Sequence, residues 1–239
     1  MSSALPHTNF IWGALIPEVY LDKVSKKYRI GRREVAAIDG VTLQLPESGI
    51  VIISGPSGAG KSTLIRIIAG LETPTSGSVY VEGVDLTRLG AYELAWFRRK
   101  KFGFKPQDPK LIPHLTILEN VAVPLMFNFV ERERALSIAK KLIEEVNLRE
   151  RIDHKPEEIS GGEYERVSLA QTIIGSPPIV ILDEPTAHLD PDNSKRIADL
   201  IKMKQKESNS LYIVTTLDYS IIQEADRVVS IYKGKIIEC

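Results

Sequence analysis

The segment Gly55-Pro56-Ser57-Gly58-Ala59-Gly60-Lys61-Ser62 constrains this chain more than any other. It fits the spacing G-x-x-x-x-G-K-[ST], in which glycines let successive backbone N–H groups turn inward and a lysine follows the last of them. A short β-branched run, Ile50 to Ile53, precedes it, and a helix-like stretch, Thr63 to Ala69, follows. Strand, glycine-rich bend and helix N-terminus in that order make an anion cradle, because the free amides and the positive end of the helix dipole converge. Gly55, Ser57, Gly58 and Gly60 are expected to wrap phosphate oxygens, with Thr63 beginning the helix below them. Lys61 bridges the terminal phosphates and Ser62 offers its hydroxyl to Mg²⁺.

Three more apolar runs, Ile179 to Leu182, Leu211 to Val214 and Val228 to Ile231, have the same brevity and β-branched character. Such runs suit strands buried on both faces, so the expected core is α/β with a parallel sheet covered by helices. Asp183 and Glu184 end the second of these runs. A carboxylate at the C-terminal edge of a strand beside the cradle can hold Mg²⁺ as Asp183, and its neighbour Glu184 can take a proton from attacking water. Val41 to Leu45 and Ser78 to Val81 alternate instead, which predicts a small antiparallel layer at the front. No β-rich run is evident in the middle third, where Ala135, Ile138, Ala139, Leu142 and Val146 trace an amphipathic helix. The expected division is an N-terminal extension over 1–16 and one domain over 17–239. Its α/β core covers 17–94 and 166–239, and an inserted helical subdomain covers about 95–165.

Basic and acidic residues balance at 31 each, so no overall positive field draws in nucleic acid, and none is expected as a partner. The one cysteine, Cys239, rules out an internal disulfide and favours a reducing compartment. The apolar stretch Phe10 to Ile16 is too short for a signal peptide and reads as an edge-packing segment. The apolar run Val121 to Val130 holds Pro124 and Asn128, and falls short of the roughly 20 residues a bilayer crossing needs. Trp96 and Phe97 read as packing residues, the run Arg98 to Lys101 as a solvated helix end, and the lone His114 as structural rather than a metal ligand.

Ile159-Ser160-Gly161-Gly162-Glu163, placed about twenty residues before Asp183, resembles the signature of ATP-binding cassette (ABC) ATPases. Gln107 looks like the family's Q-loop glutamine, Ala187-His188-Leu189-Asp190 like its D-loop, and Tyr28 sits where an adenine-stacking aromatic is expected. The resemblance implies ATP and Mg²⁺ as cofactors. It assigns catalysis to Glu184, Gln107 and Lys61, and the metal to Ser62, Gln107 and Asp183. Tyr28, the cradle, Thr63, Ser160, Gly161, Gly162 and Asp190 would then contact nucleotide. It further implies that two cassettes pair head to tail, each signature closing over the other's ATP. Ser160-Gly161-Gly162 opening a helix agrees with that, since a hydroxyl, free amides and a dipole face a γ-phosphate. The stretch Lys110 to Val121 is similar to cassettes of the lipoprotein-release, macrolide-export and cell-division type, which implies a membrane permease and a place at the inner face of the cell membrane. An iron–sulfur assembly type and a regulatory ATP clamp remain as alternatives.

One position departs from the family. Cassettes of this type read Thr-His-Asp after the third core strand, the histidine touching the γ-phosphate and the attacking water. Here the residues are Thr216-Leu217-Asp218. A gap-free register through Ala225-Asp226-Arg227 puts Leu217 at the histidine's place; a one-residue shift puts Thr216 there. His7, His114, His154 and His188 lie elsewhere in the sequence. ATP binding is expected to persist and hydrolysis to be slow. A weaker half of a heterodimer, a slow homodimer working through Glu184, and a variant built to trap ATP would each read this way.

Overall fold

The structure, a computed structural model, describes residues 19–31, 33–187 and 189–238. The expected N-terminal extension with Phe10 to Ile16, together with His7, His188 and Cys239, lies outside them. In chain order the elements are β1 (Val19–Ile30), β2 (Arg33–Leu45), β3 (Gly49–Ser54), α1 (Lys61–Ile68), β4 (Ser76–Val81), β5 (Val84–Asp85) and α2 (Ala91–Lys101). Next come β6 (Phe102–Lys105), α3 (Ile117–Phe127), α4 (Arg132–Glu145), α5 (Gly161–Ile173) and β7 (Ile179–Asp183). The chain closes with α6 (Pro191–Ser208), β8 (Leu211–Thr215), α7 (Tyr219–Ile222), β9 (Arg227–Tyr232) and β10 (Lys235–Glu238).

Two sheets result. A four-stranded antiparallel sheet has the order β2-β1-β4-β5, and a six-stranded sheet has the order β10-β9-β3-β8-β7-β6. Within the larger sheet every pair from β9 to β6 is parallel, and only β10 runs antiparallel. Side chains of a strand alternate between faces, so its central strands are apolar throughout. Ile50, Ile52, Val180, Leu182, Tyr212 and Val214 pack on one face with helices α3 to α6. Val51, Ile53, Ile181, Ile213, Val229 and Ile231 pack on the other with α1 and the antiparallel sheet. Each fully buried aliphatic side chain stabilises by about 1.5–3 kcal/mol, so the sheet's two-faced burial is the main source of cohesion.

Strand β6 corrects the reading of an unbroken helical middle third. Phe102 to Lys105 pairs in parallel with β7, which returns these residues to the α/β core and starts the helical part after Lys105. Four residues with a glycine and a lysine carry too little hydrophobic pattern to announce a strand. Gly103 has a packing reason: a Cβ there would stand 2.3 Å from the Thr172 carbonyl of α5, which lies across this strand.

The end of α2 corrects another expectation. Arg98 donates to the Gly70 carbonyl at 2.8 Å, Arg99 lies 4.8 Å from the Phe129 ring centre, and Lys101 pairs with Glu82. Only Lys100 of the four is exposed, while basic charge in the last turn still complements the helix dipole. Phe97 is buried against Phe102 as expected, but Trp96 is half-exposed and not a core residue. Helix α3 contains Pro124, which has no N–H for the Asn120 carbonyl one turn back; Gln171 of α5 donates to that carbonyl at 2.9 Å.

Candidate active site

Every element of the cradle has a backbone reason. Strand β3 ends at Ser54, the chain bends through the glycines, and α1 begins at Lys61 with Gly60 as its N-cap at φ 107°. A Cβ on Gly60 would stand 2.4 Å from the Ala37 carbonyl of β2, and one on Gly55 would stand 2.2 Å from the Ile231 carbonyl of β9. The bend is thus wedged between the two sheets, where only glycine fits. Ser57 and Gly58 lie exposed at its tip.

Lys61 is buried, and its ammonium donates to the Gly55 carbonyl at 2.9 Å and the Pro56 carbonyl at 3.4 Å. The Glu184 carboxylate is 3.4 Å away. Ser62 donates to Asp183 Oδ1 at 3.1 Å, and Thr215 donates to the same oxygen at 2.7 Å. Asp183 is fully buried and its second oxygen, Oδ2, has no hydrogen-bond partner. An orphaned carboxylate oxygen next to a serine hydroxyl is a hard-oxygen donor pair that suits Mg²⁺, which commonly takes one or two protein oxygens beside phosphates and water. Among the described residues no cluster of three His, Cys, Asp or Glu forms a closed metal cage.

Glu184 sits at φ 46°, a left-handed conformation costly for a non-glycine residue. Strand β8 holds it there: its N–H donates to the Thr215 carbonyl at 3.0 Å and to Thr215 Oγ1 at 3.1 Å. Thr215 therefore sets both acidic residues at once, a role the sequence reading missed. The signal was available in a hydroxyl residue ending the strand between β3 and β7. Beyond it, Thr216 is buried, with its hydroxyl accepting from the Asp218 N–H at 2.9 Å, whereas Leu217 is 59% exposed.

Tyr28 stands beside Thr63 in α1. Its hydroxyl donates to Glu72, and Lys26 lies 5.3 Å from its ring centre. Burial, then Glu72, push its pKa up, so the ring stays neutral.

Gln107 is exposed, two residues beyond β6, on the sheet edge where Asp183 ends β7. Ser160 caps α5: its hydroxyl accepts from the Glu163 N–H at 3.3 Å, and Glu163 accepts in return from the Ser160 N–H at 2.8 Å. That reciprocal pair, chiefly the backbone hydrogen bond, together with Arg151 holds the Glu163 pKa down at about 2. A Cβ on Gly162 would stand 2.9 Å from the Asn193 side chain, and Asn193 donates twice to Asp190, which caps α6. These bonds hold the Asp190 pKa low, the backbone of Asn193 first. No described hydrogen bond or ion pair joins Ser160–Gly162 or Asp190 to the Gly55–Ser62 bend. The sequence-predicted residues thus fall into two groups: Tyr28, the bend, Thr63, Asp183 and Glu184 in one; Ser160, Gly161, Gly162 and Asp190 in the other.

Comparison with known proteins places the fold in a family. Residues 38–187 match the family model described as ABC transporter. The chain is 37% identical over 215 residues to the lipoprotein-releasing system ATP-binding protein LolD of Pseudomonas syringae, covering 90% of this chain and 95% of that protein. It is 35% identical to the macrolide export ATP-binding/permease protein MacB of Rhodopirellula baltica, covering 92% of this chain but 32% of that longer protein. It superposes with TM-score 0.87 and 35% identity on the cassette MJ0796 of Methanocaldococcus jannaschii, solved as a dimer in a post-hydrolysis state bound to ADP and Pi; the match covers 92% of this chain and 97% of that one. The chain belongs to the ABC transporter family, as an ATP-binding cassette of the lipoprotein-release and macrolide-export type.

Proposed function

We propose that the chain binds Mg·ATP between its Gly55–Ser62 bend and the Ser160–Gly162 turn of a second cassette, hydrolyses it slowly, and so moves a membrane permease. The observation that carries this reading is the fully buried Asp183 with an unpartnered oxygen beside Ser62 and within one strand end of Lys61 and Glu184. Ser62 and Asp183, with Gln107 from the neighbouring loop, would hold Mg²⁺, which neutralises charge on the phosphates. Lys61 is shared by two carbonyls and Glu184. An entering polyphosphate competes for the ammonium, and Glu184 is then released to accept a proton from water in line with the terminal phosphate. Tyr28 supports the base. The separation of the signature group from the bend supports completion of the site by a partner, as does the dimeric form of the solved relative. Among the described residues no helix is long and apolar enough to cross a membrane. The likeness to the ATP-binding protein of a lipoprotein-releasing system supports a place at the membrane's inner face, on a permease.

Leu217 supports the slow step. It occupies the exposed position at the end of β8 and offers neither charge nor hydrogen bond, while Thr216 is turned inward. A clamp that binds ATP and scarcely turns over is the second reading this residue favours. Isothermal titration separates the parts. Lys61→Ala should weaken Mg·ATP binding by about tenfold or more, whereas Glu184→Gln should keep affinity and abolish phosphate release. Wild-type affinity in Lys61→Ala would refute the site.

A further inference from the structure

The base and the phosphates of a bound nucleotide would rest on different elements: Tyr28 lies on β1 of the antiparallel sheet, and the Gly55–Ser62 bend leads into the N-terminal end of α1. Glu72 joins the two elements. Its N–H donates to the Arg66 carbonyl at 3.2 Å, beside that of Leu71 at 2.8 Å, so its backbone is fixed to the last turn of α1. Its Oε1 reaches across to β1, where it accepts from the Tyr28 hydroxyl and meets the Lys26 ammonium at 3.1 Å. Lys26 in turn donates to the Thr73 carbonyl at 2.7 Å. The Lys26 and Glu72 side chains are 17% and 19% exposed, so the pair is largely withdrawn from water.

Other bonds already hold the strand to this segment. The Thr75 N–H donates to the Ser25 carbonyl at 2.7 Å, and Thr75 Oγ1 accepts from the Lys27 N–H at 3.0 Å. A part-buried ion pair adds little cohesion of its own, because desolvation offsets most of the Coulombic gain. What the carboxylate adds is direction. A tyrosine ring turns about two side-chain torsions, and a charge-assisted hydrogen bond at its far end restrains both.

We propose that Glu72, with Lys26 as its charge partner, is a positioning residue that aims the Tyr28 ring and ties it to α1, so that base and phosphates are received together. The inference rests on the function proposed above, because it needs Tyr28 to carry the base of ATP held at Lys61.

Isothermal titration of the full chain with Mg·ATP and with Mg·tripolyphosphate, which lacks base and ribose, tests it. The wild type should bind ATP about tenfold or more tightly than tripolyphosphate, since a base stacked on an aromatic ring contributes on that order. The double variant Lys26→Met, Glu72→Leu leaves no unpaired charge. It should bind tripolyphosphate as the wild type does and lose about threefold or more of the preference for ATP, because the ring is no longer preorganised. Tyr28→Phe, which keeps the ring and removes only the hydroxyl, should lose as much, and it decides alone should the double variant not fold. A full preference for ATP in either folded variant overturns the proposal. So does an equal loss of affinity for both ligands, which would mark Glu72 as structural only. A wild type that binds both ligands equally removes the platform and this inference with it, while one that binds neither overturns the ATP reading itself.

Discussion

Asp183 and Leu217 are the two residues on which the proposed chemistry turns, and they differ in how they could be known. Asp183 follows from its place after an apolar strand, and the structure adds Thr215 and Ser62 on one oxygen with the other left over. Leu217 stands out only against a family pattern; its side chain is exposed while that of residue 216 is buried, which supports position 217 as the proposed switch site. Leu217→His should raise ATP turnover about tenfold or more, measured as phosphate release at saturating Mg·ATP, since one preorganised contact to the transition state is restored. An unchanged rate would show that position 217 does not face the γ-phosphate. Gly60 makes a second test at this scale. Gly60→Ala forces φ 107° on an L-residue and drives its Cβ to 2.4 Å from the Ala37 carbonyl. It should destabilise by about 2 kcal/mol or more, read as a lowered urea midpoint, and weaken ATP binding with it.

The individual elements were legible where pattern is dense and illegible where it is thin. β3, β7, β8 and β9 match their apolar runs within a residue at either end, and α4 carries the expected buried stripe of Ala135, Ala139 and Leu142. β6 was missed because its identity comes from Gly103 fitting under Thr172 and Lys105 pairing with Glu165, contacts remote in sequence. The inward course of Arg98, Arg99 and Lys101 was missed for the same reason, their partners being Gly70, Phe129 and Glu82. Helix α5 carries a prediction of its own. Glu163 is held at about 2 in the folded chain against an ordinary 4.5, so its deprotonated form stabilises the fold. That contribution is whole above 4.5 and is lost as pH falls towards 2. Glu163→Gln should lower the urea midpoint at neutral pH and erase this part of the acid dependence, so that the two proteins converge at low pH. Parallel curves would mean that the cap is not what titrates.

At the scale of the whole molecule, the two faces of the six-stranded sheet underlie the proposal that one chain holds only part of a catalytic centre. One face lodges the bend between the sheets; the other carries α5, whose first turn packs Gly162 against Asn193 and has no described hydrogen bond to that bend. The α/β class and the antiparallel front were readable from hydrophobic patterning, and the family from motifs. The separation of the two residue groups was not, because it depends on how α5 crosses β6 and on which side of the sheet it lies. The most direct measurement is an electron-density map of Glu184→Gln grown with Mg·ATP. The account predicts nucleotide phosphates wrapped by Gly55–Ser62 of one molecule and touched by Ser160 and Gly162 of another. Phosphates bound with Ser160 contributed by the same molecule, or an unbound bend at saturating ATP, would contradict it.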